Sequence, residues 1–382
     1  MSMKRINFTL FTILLLAIVF SCTKANLNYT QNGNWVHRST FGQGGVATAI
    51  GVGYPASFVL GSVAYVGTGV NPASPSSKLT QFWAYTPGPI INGAFDSSIA
   101  AGSWTQVAAF IGAPRSNGIG FNTGGLGYVG TGLANDGTTV YADFYQYSPN
   151  SNSWAVVDSL FNDSASFPRY DAASFSFDTA AYVMTGTDGF HYFNDFWRFS
   201  ATTGQWTQLP NMPGNQRSGA LTWVYGNEGY ILTGYTPSSK WASGNLAYDF
   251  WRFDPAALDP DVQWSRLRDI YNTSAGTFDD GYTNIIRKNG ASFVILKTAF
   301  GDKGYITLGA NNSTAINFTW EYDFASDIWT EKSPFNGNAR TGATGFTLNN
   351  RGFVTCGLNV GAQQAYTDCE EFFPNQVYNP LD

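Results

Sequence analysis

Four arginines repeat at a single register. Arg115, Arg169, Arg217 and Arg340 each stand six residues before one aromatic side chain (Phe121, Phe175, Trp223, Phe346) and thirteen before a second (Tyr128, Tyr182, Tyr230, Phe353). A planar guanidinium presents a fork of N–H donors that grips a carboxylate bidentately. Four of them at one repeated position therefore predict either a ring of cations for an acidic ligand, or a ring of internal ties to carbonyls and acids of a neighbouring unit. Acids recur too: Asp143, Asp195, Asp249 and Asp368 each open an aromatic segment. Their repetition predicts scaffold, as acceptors of backbone hydrogen bonds where a strand begins, rather than catalysis.

Other chemically capable side chains are few. The chain has two histidines, His37 and His191, and three cysteines, Cys22, Cys356 and Cys369. Neither a Ser-His-Asp arrangement, a phosphate loop nor a zinc spacing is present, and no metal or cofactor is expected. Cys356 and Cys369 fall on neighbouring strands and are expected to form a disulfide in an oxidising compartment, worth at most about 3 kcal/mol by loop entropy. A free thiol pair or metal ligands are the alternatives. With a net charge of −6 and 12% charged residues there is no basic face, which excludes nucleic acid as a partner.

The N-terminus bears on compartment. Lys4 and Arg5 precede an apolar run over 8–20 that is about two-thirds of the length a helix needs to cross a bilayer core. This reads as a secretory signal. Ser21 before Cys22 resembles the lipobox of bacterial lipoproteins, which implies a signal peptide over 1–21, a lipidated Cys22 and a linker over 22–33. Simple cleavage without lipid is the alternative. Thr23 does not oppose outer-membrane sorting, so the expectation is a protein of the cell envelope at the outer membrane, touching the bilayer through its lipid only.

The elements that must position these residues are repeats. A Gly/Ala-aromatic-aliphatic segment ending in Gly occurs six times: 64–69, 127–132, 181–186, 229–234, 304–309 and 352–357. Each is followed by an aromatic segment, at 81–85, 143–147, 195–199, 249–253, 318–322 and 368–372. A third type opens on Trp104, Trp154, Trp206, Trp264 and Trp329, only five times. The missing sixth copy stands at the start of the mature chain, Asn34-Trp35-Val36-His37. Such a pattern predicts an all-β ring of four-stranded sheets in which the first strand completes the last sheet and hides two edges that would otherwise invite aggregation. The many aromatics (30 Phe, 21 Tyr, 12 Trp) suit sheets buried on both faces.

Paired-Gly strand, aromatic strand and Trp strand, at about a 50-residue period, resemble the kelch repeat. The resemblance covers 34–374 and implies a six-bladed kelch β-propeller, with 375–382 as a tail. Most copies carry Gly-Thr-Gly, Met-Thr-Gly or Leu-Gly where the family often has adjacent glycines, and blades 1 and 5 are expected to lack both the Asp and the Arg. In kelch propellers the Pro-Arg position contacts acidic ligands, which implies that role for Arg115 and Arg169 and extends it to Arg217 and Arg340.

Strand alternation places the loops leading into the innermost strands on one face of the ring, together with the loops between second and third strands. That face, called upper below, is expected to carry the four arginines around the central channel, with His191, Tyr192, Tyr235 and Trp241 among the loop side chains. An insertion at 268–290 offers Asp279 and Asp280 as partners for the arginines. Aromatic rings with amides suit sugar or peptide recognition, so the expected function is a membrane-anchored binding module for an anionic glycan, acidic peptide or protein partner. The alternative, by resemblance to the kelch sialic-acid mutarotases, is a mutarotase or epimerase of an acidic sugar. Copper-radical oxidation as in galactose oxidase needs two His, two Tyr and a Cys crosslinked to Tyr, and two histidines so placed cannot meet at one copper.

Overall fold

The structure is a computed structural model that describes residues 32–42, 50–73, 79–89, 101–162, 165–259, 262–271, 282, 284–379 and 382. Six four-stranded antiparallel sheets are arranged as blades. From inner to outer strand, blade 1 contains Ala56–Leu60, Val63–Gly67, Phe82–Thr86 and Ser103–Val107. Blade 2 contains Ile119–Thr123, Leu126–Gly130, Phe144–Ser148 and Ser153–Val157, and blade 3 Ala173–Ser176, Ala180–Met184, Phe196–Ser200 and Trp206–Leu209. Blade 4 is Leu221–Tyr225, Glu228–Leu232, Trp251–Phe253 and Trp264–Arg266. Blade 5 is Ala291–Thr298, Gly301–Thr307, Thr319–Asp323 and Ile328–Lys332. In blade 6 the inner three are Thr344–Leu348, Arg351–Thr355 and Asp368–Phe373, and the outer strand is Asn34–Thr40 from the other end of the chain.

That closure has the expected register: Trp35 lies opposite Phe372 and Asn34 opposite Phe373. Trp35 is fully buried, its ring 4.8 Å from Phe372, 5.0 Å from Phe335 and 5.9 Å from Phe293 of blade 5. Its indole N–H donates to Thr319 Oγ1 at 3.3 Å. Charges add to the seam. Glu371 accepts from both Arg38 of the closing strand and Arg351, each at 2.6 Å, and His37 lies 2.9 Å from Glu370. A buried carboxylate held by two guanidiniums is compensated, so the seam need not carry an isolated charge.

Neighbouring blades are stitched together at one repeated position. Thr68, Thr131, Thr185, Thr233, Leu308 and Cys356 all have left-handed φ between 58° and 64°, and the Gly after each also has positive φ. This bend aims the Gly N–H at a carbonyl of the following blade: Gly132 reaches Arg169 O at 2.7 Å, and Gly357 closes the circle onto Val52 O at 2.8 Å. The departures from adjacent glycines are thus accommodated by side chains that tolerate the bend in situ.

The expected disulfide is corrected. Cys356 and Cys369 are both buried free thiols. Cys369 pairs across the ladder with Thr355, and Cys356, one residue further on, has already turned into the left-handed bend. Burial pushes both thiols up in pKa, which keeps them protonated.

Candidate functional site on the upper channel mouth

The four arginines are not displayed at the channel mouth. Arg115, Arg169 and Arg217 have no exposed side-chain surface and Arg340 only 1%. Each Nε donates to the carbonyl two residues back, and Nη1 to the carbonyl sixteen residues on, at the blade stitch. The remaining fork takes an aspartate. Arg169 holds Asp195 at 2.7 and 2.6 Å, Arg115 holds Asp143 with one contact at 2.9 Å, and Arg217 and Arg340 hold Asp249 and Asp368. The repeated aspartates are therefore scaffold, but their main partner is a guanidinium rather than the backbone. Rings cover the cations: Tyr141 over Arg115, Phe193 over Arg169 and Tyr366 over Arg340, at 4.3, 4.7 and 3.8 Å. These are internal ties, and they leave no guanidinium for a ligand. An aromatic-x-Asp signal at 141–143, 193–195 and 366–368 was present in the sequence and marks the covered pairs.

Blade 5 has an arginine after all. Arg287 stands six residues before Phe293, like the others, but its hairpin is longer, so the thirteen-residue offset fails. Phe318 fills the aspartate position, and Arg287 donates instead to the carbonyls of Ile285, Leu308, Phe318 and Asn284 at 2.8 to 3.0 Å. Burial with no carboxylate partner among the described residues lowers its pKa to about 9. Asp279 and Asp280 lie outside the described residues, as does Cys22.

Two residues past the arginine position, each blade contributes to a belt around the channel mouth: Tyr54, Asn117, Asp171, Gly219, Asn289 and Gly342. All six have left-handed φ, between 52° and 62°. Each backbone N–H donates to the carbonyl of the preceding member, and Tyr54 N returns to Gly342 O, a closed cycle of hydrogen bonds of 2.7 to 3.1 Å. The belt's backbone N–H groups are satisfied in this way, which leaves its side chains as the donors at the channel mouth. Two blades supply glycine because their neighbours' side chains occupy that space. An added Cβ on Gly219 would lie 2.0 Å from Asn289 Oδ1, and one on Gly342 2.6 Å from the Tyr54 ring.

Asp171 is the one acid in the belt. Its Oδ1 accepts from Asn117 Nδ2 at 2.7 Å and its Oδ2 from Asn289 Nδ2 at 3.4 Å. Burial raises its pKa above the ordinary carboxylate value, against those two amides and nearby Lys288, which lower it. The next residues inward, Pro55, Gly118, Ala172, Ala220, Gly290 and Ala343, are all small and leave a pit of about 130 Å³ on the axis. That is room for about four waters. Above, the rings of Tyr192 and Tyr235 meet at a tilt of 35° with centroids 5.3 Å apart, and Lys288 Nζ is 5.0 Å from the Tyr235 ring. Tyr170, between Arg169 and Asp171, completes the wall; burial raises its pKa and that of Tyr192, and in both Asp171 adds to the effect.

Of the loop residues expected here, Tyr192 and Tyr235 come together beside Asp171. His191 stands on the exposed loop of blade 3, 3.0 Å from Asp188. Trp241 is turned to the flank of blade 4, with Lys240 Nζ 3.8 Å and Arg266 Cζ 4.1 Å from its ring. His37 lies on the outer strand of blade 6. Among the described residues no three His, Cys, Asp or Glu side chains are grouped to hold a metal.

Comparison with known proteins bears on the fold. The family model for the kelch motif matches residues 168–213, which span the Pro-Arg of blade 3 through its outer strand. No curated protein sequence matches the chain. The solved structure of YjhT superposes with a TM-score of 0.61 over 85% of this chain and 95% of that one, at 17% identity. Six closed blades, the arginine ties and the kelch match together make this chain a kelch-type six-bladed β-propeller.

Proposed function

We propose that the upper channel mouth binds the end of a glycan, as a binding module held in the cell envelope by a lipidated Cys22. The single observation that carries this reading is Asp171 with its two amides at the rim of a small pit under a tyrosine wall. A carboxyl accepting from two asparagines is oriented to receive hydroxyl donors, while aromatic faces suit the C–H surface of a sugar ring. Lys288 supplies one cation for an acidic group on the same ligand, the role first expected of the arginines. The pit admits one polar head rather than a polymer, which favours a chain end or monosaccharide over a peptide. Calorimetric titration with neutral hexoses and with N-acetylneuraminic acid tests it. Binding to the wild type that is lost in Asp171→Ala and in Tyr192→Ala supports the reading, and unchanged affinity in both variants overturns it.

The raised pKa of Asp171 favours a second reading, mutarotation of an acidic sugar. A protonated carboxyl donates to the ring oxygen while water takes the proton of the anomeric hydroxyl. The ring C–O bond opens to a carbonyl and recloses on its other face, and the protons return. Anomer-exchange NMR decides between binding and catalysis. An exchange rate equal with and without protein removes the enzyme, and Asp171→Asn should abolish any acceleration while the sugar still binds.

A further inference from the structure

The lower face is not equivalent to the upper. Its hairpins join inner to second strands, and in blade 5 this hairpin is longer than elsewhere, with strands Ala291–Thr298 and Gly301–Thr307 against five or fewer residues per inner strand in the other blades. Its tip exposes Leu296, Lys297, Ala299 and Phe300, the phenyl ring to 61%. Val224 lines the same cleft as the tip, and Leu258, Val262 and Ile328, all exposed, stand at the lower ends of blades 4 and 5. A cavity of about 940 Å³ opens beside the tip, walled by Trp223, Tyr225, Phe293 and Leu296. Exposed apolar side chains on the upper face, such as Phe190 and Val360, are instead spread over separate blades. Apolar residues gathered on one face of a water-soluble fold mark a surface that meets something apolar.

Where the described chain begins says what that is. Asn34 pairs with Phe373 at the lower end of blade 6, and Gly33 N donates to Gln376 O just beyond that end. The 31 residues upstream, with the 8–20 apolar run and Cys22, therefore join the fold on this face. From Cys22 to Asn32 an extended chain reaches at most about 35 Å. We propose that the lower face of blades 4 and 5 rests on the lipid surface, with the Leu296/Phe300 hairpin tip in the headgroup region. Leucine and phenylalanine insert there while Lys297 reaches back to the phosphates. Docked so, the propeller turns its Asp171 pit away from the bilayer toward soluble ligand. The inference rests on lipid anchoring through Cys22 and makes the bilayer a second contact beyond the lipid itself.

The test uses the full chain in isolated membranes, with F300C on the lower face and F190C on the upper, labelled by a membrane-impermeant maleimide. F300C should react at least about tenfold more slowly in membranes than after detergent solubilisation, as an interfacial side chain does. F190C should react equally in both. A chain recovered wholly in the soluble fraction overturns the anchor and the docking together. Membrane-bound protein whose F300C reacts at the same rate before and after detergent overturns the docking alone, leaving the anchor standing. Protection of F300C that persists in detergent assigns the surface to a protein partner or a second copy, which also overturns the proposal.

Discussion

Removing the carboxylate of Asp249 should unfold this propeller far more readily than removing that of Asp143, although both sit at the same position of their blades. Asp249 and Arg217 are each fully buried, and Asp249 Oδ2 also accepts from Trp251 Nε1 at 2.6 Å and from Asn215 N at 3.3 Å. Asp249→Ala leaves a buried guanidinium with carbonyl partners only and takes the acceptor from two further donors. Breaking such a pair costs about 3–5 kcal/mol. The Asp143 side chain is 31% exposed, so water can replace it beside Arg115, and Asp143→Ala should cost about 1–2 kcal/mol. At about 1.4 °C per kcal/mol for a chain of this length, the melting points should fall by about 4–7 °C and about 1.5–3 °C respectively. Urea unfolding followed by tryptophan fluorescence gives the free energies directly. The Arg217→Met/Asp249→Leu double variant should be more stable than Asp249→Ala, because it leaves no orphaned charge. Equal midpoints for the two alanine variants, or a double variant worse than the single, would refute the assignment of these arginines as internal ties.

Three further outcomes follow from the same contacts. Asp171 has a folded pKa raised above its unfolded value, so its contribution to stability is full below about pH 4 and is lost as pH rises through the folded pKa; wild type minus Asp171→Asn stability, measured by urea titration across pH 3–8, should decline in that direction. His37 is raised above 6.5, chiefly by its hydrogen bond with Glu370, so its contribution is present below that pH and fades above the folded pKa. His37→Ala should therefore destabilise more at pH 5.5 than at pH 8.5 in the same assay. Trp35→Ala empties a fully buried site on the closing strand and should cost about 3–5 kcal/mol, seen as loss of protease resistance at the N-terminus before the rest of the ring.

The periodic features were legible because each repeat writes the same residue types at the same spacing. Trp35 could be assigned to the last blade since five Trp strands answered six aromatic ones, and its pairing with Phe372 follows from ring closure alone. Arg287 escaped for a local reason: five extra residues in the blade 5 hairpin shift Tyr305 while leaving Phe293 in register. The partners of the arginines stayed open because a guanidinium serves a ligand or a neighbouring aspartate with identical chemistry, and only burial separates the two.

The belt is different in kind. Tyr54, Asn117, Asp171, Gly219, Asn289 and Gly342 are of four residue types, so only their common offset from the arginine position, and no repeated side chain, connects them along the chain. What they share is a left-handed backbone and a place beside the axis, both imposed by the blades that precede and follow them. Sequence alone determined the blades, because periodic burial dictates periodic side chains. The tertiary structure decided the site, because the polar groups that meet around Asp171 come from separate blades and are brought together only when the ring closes.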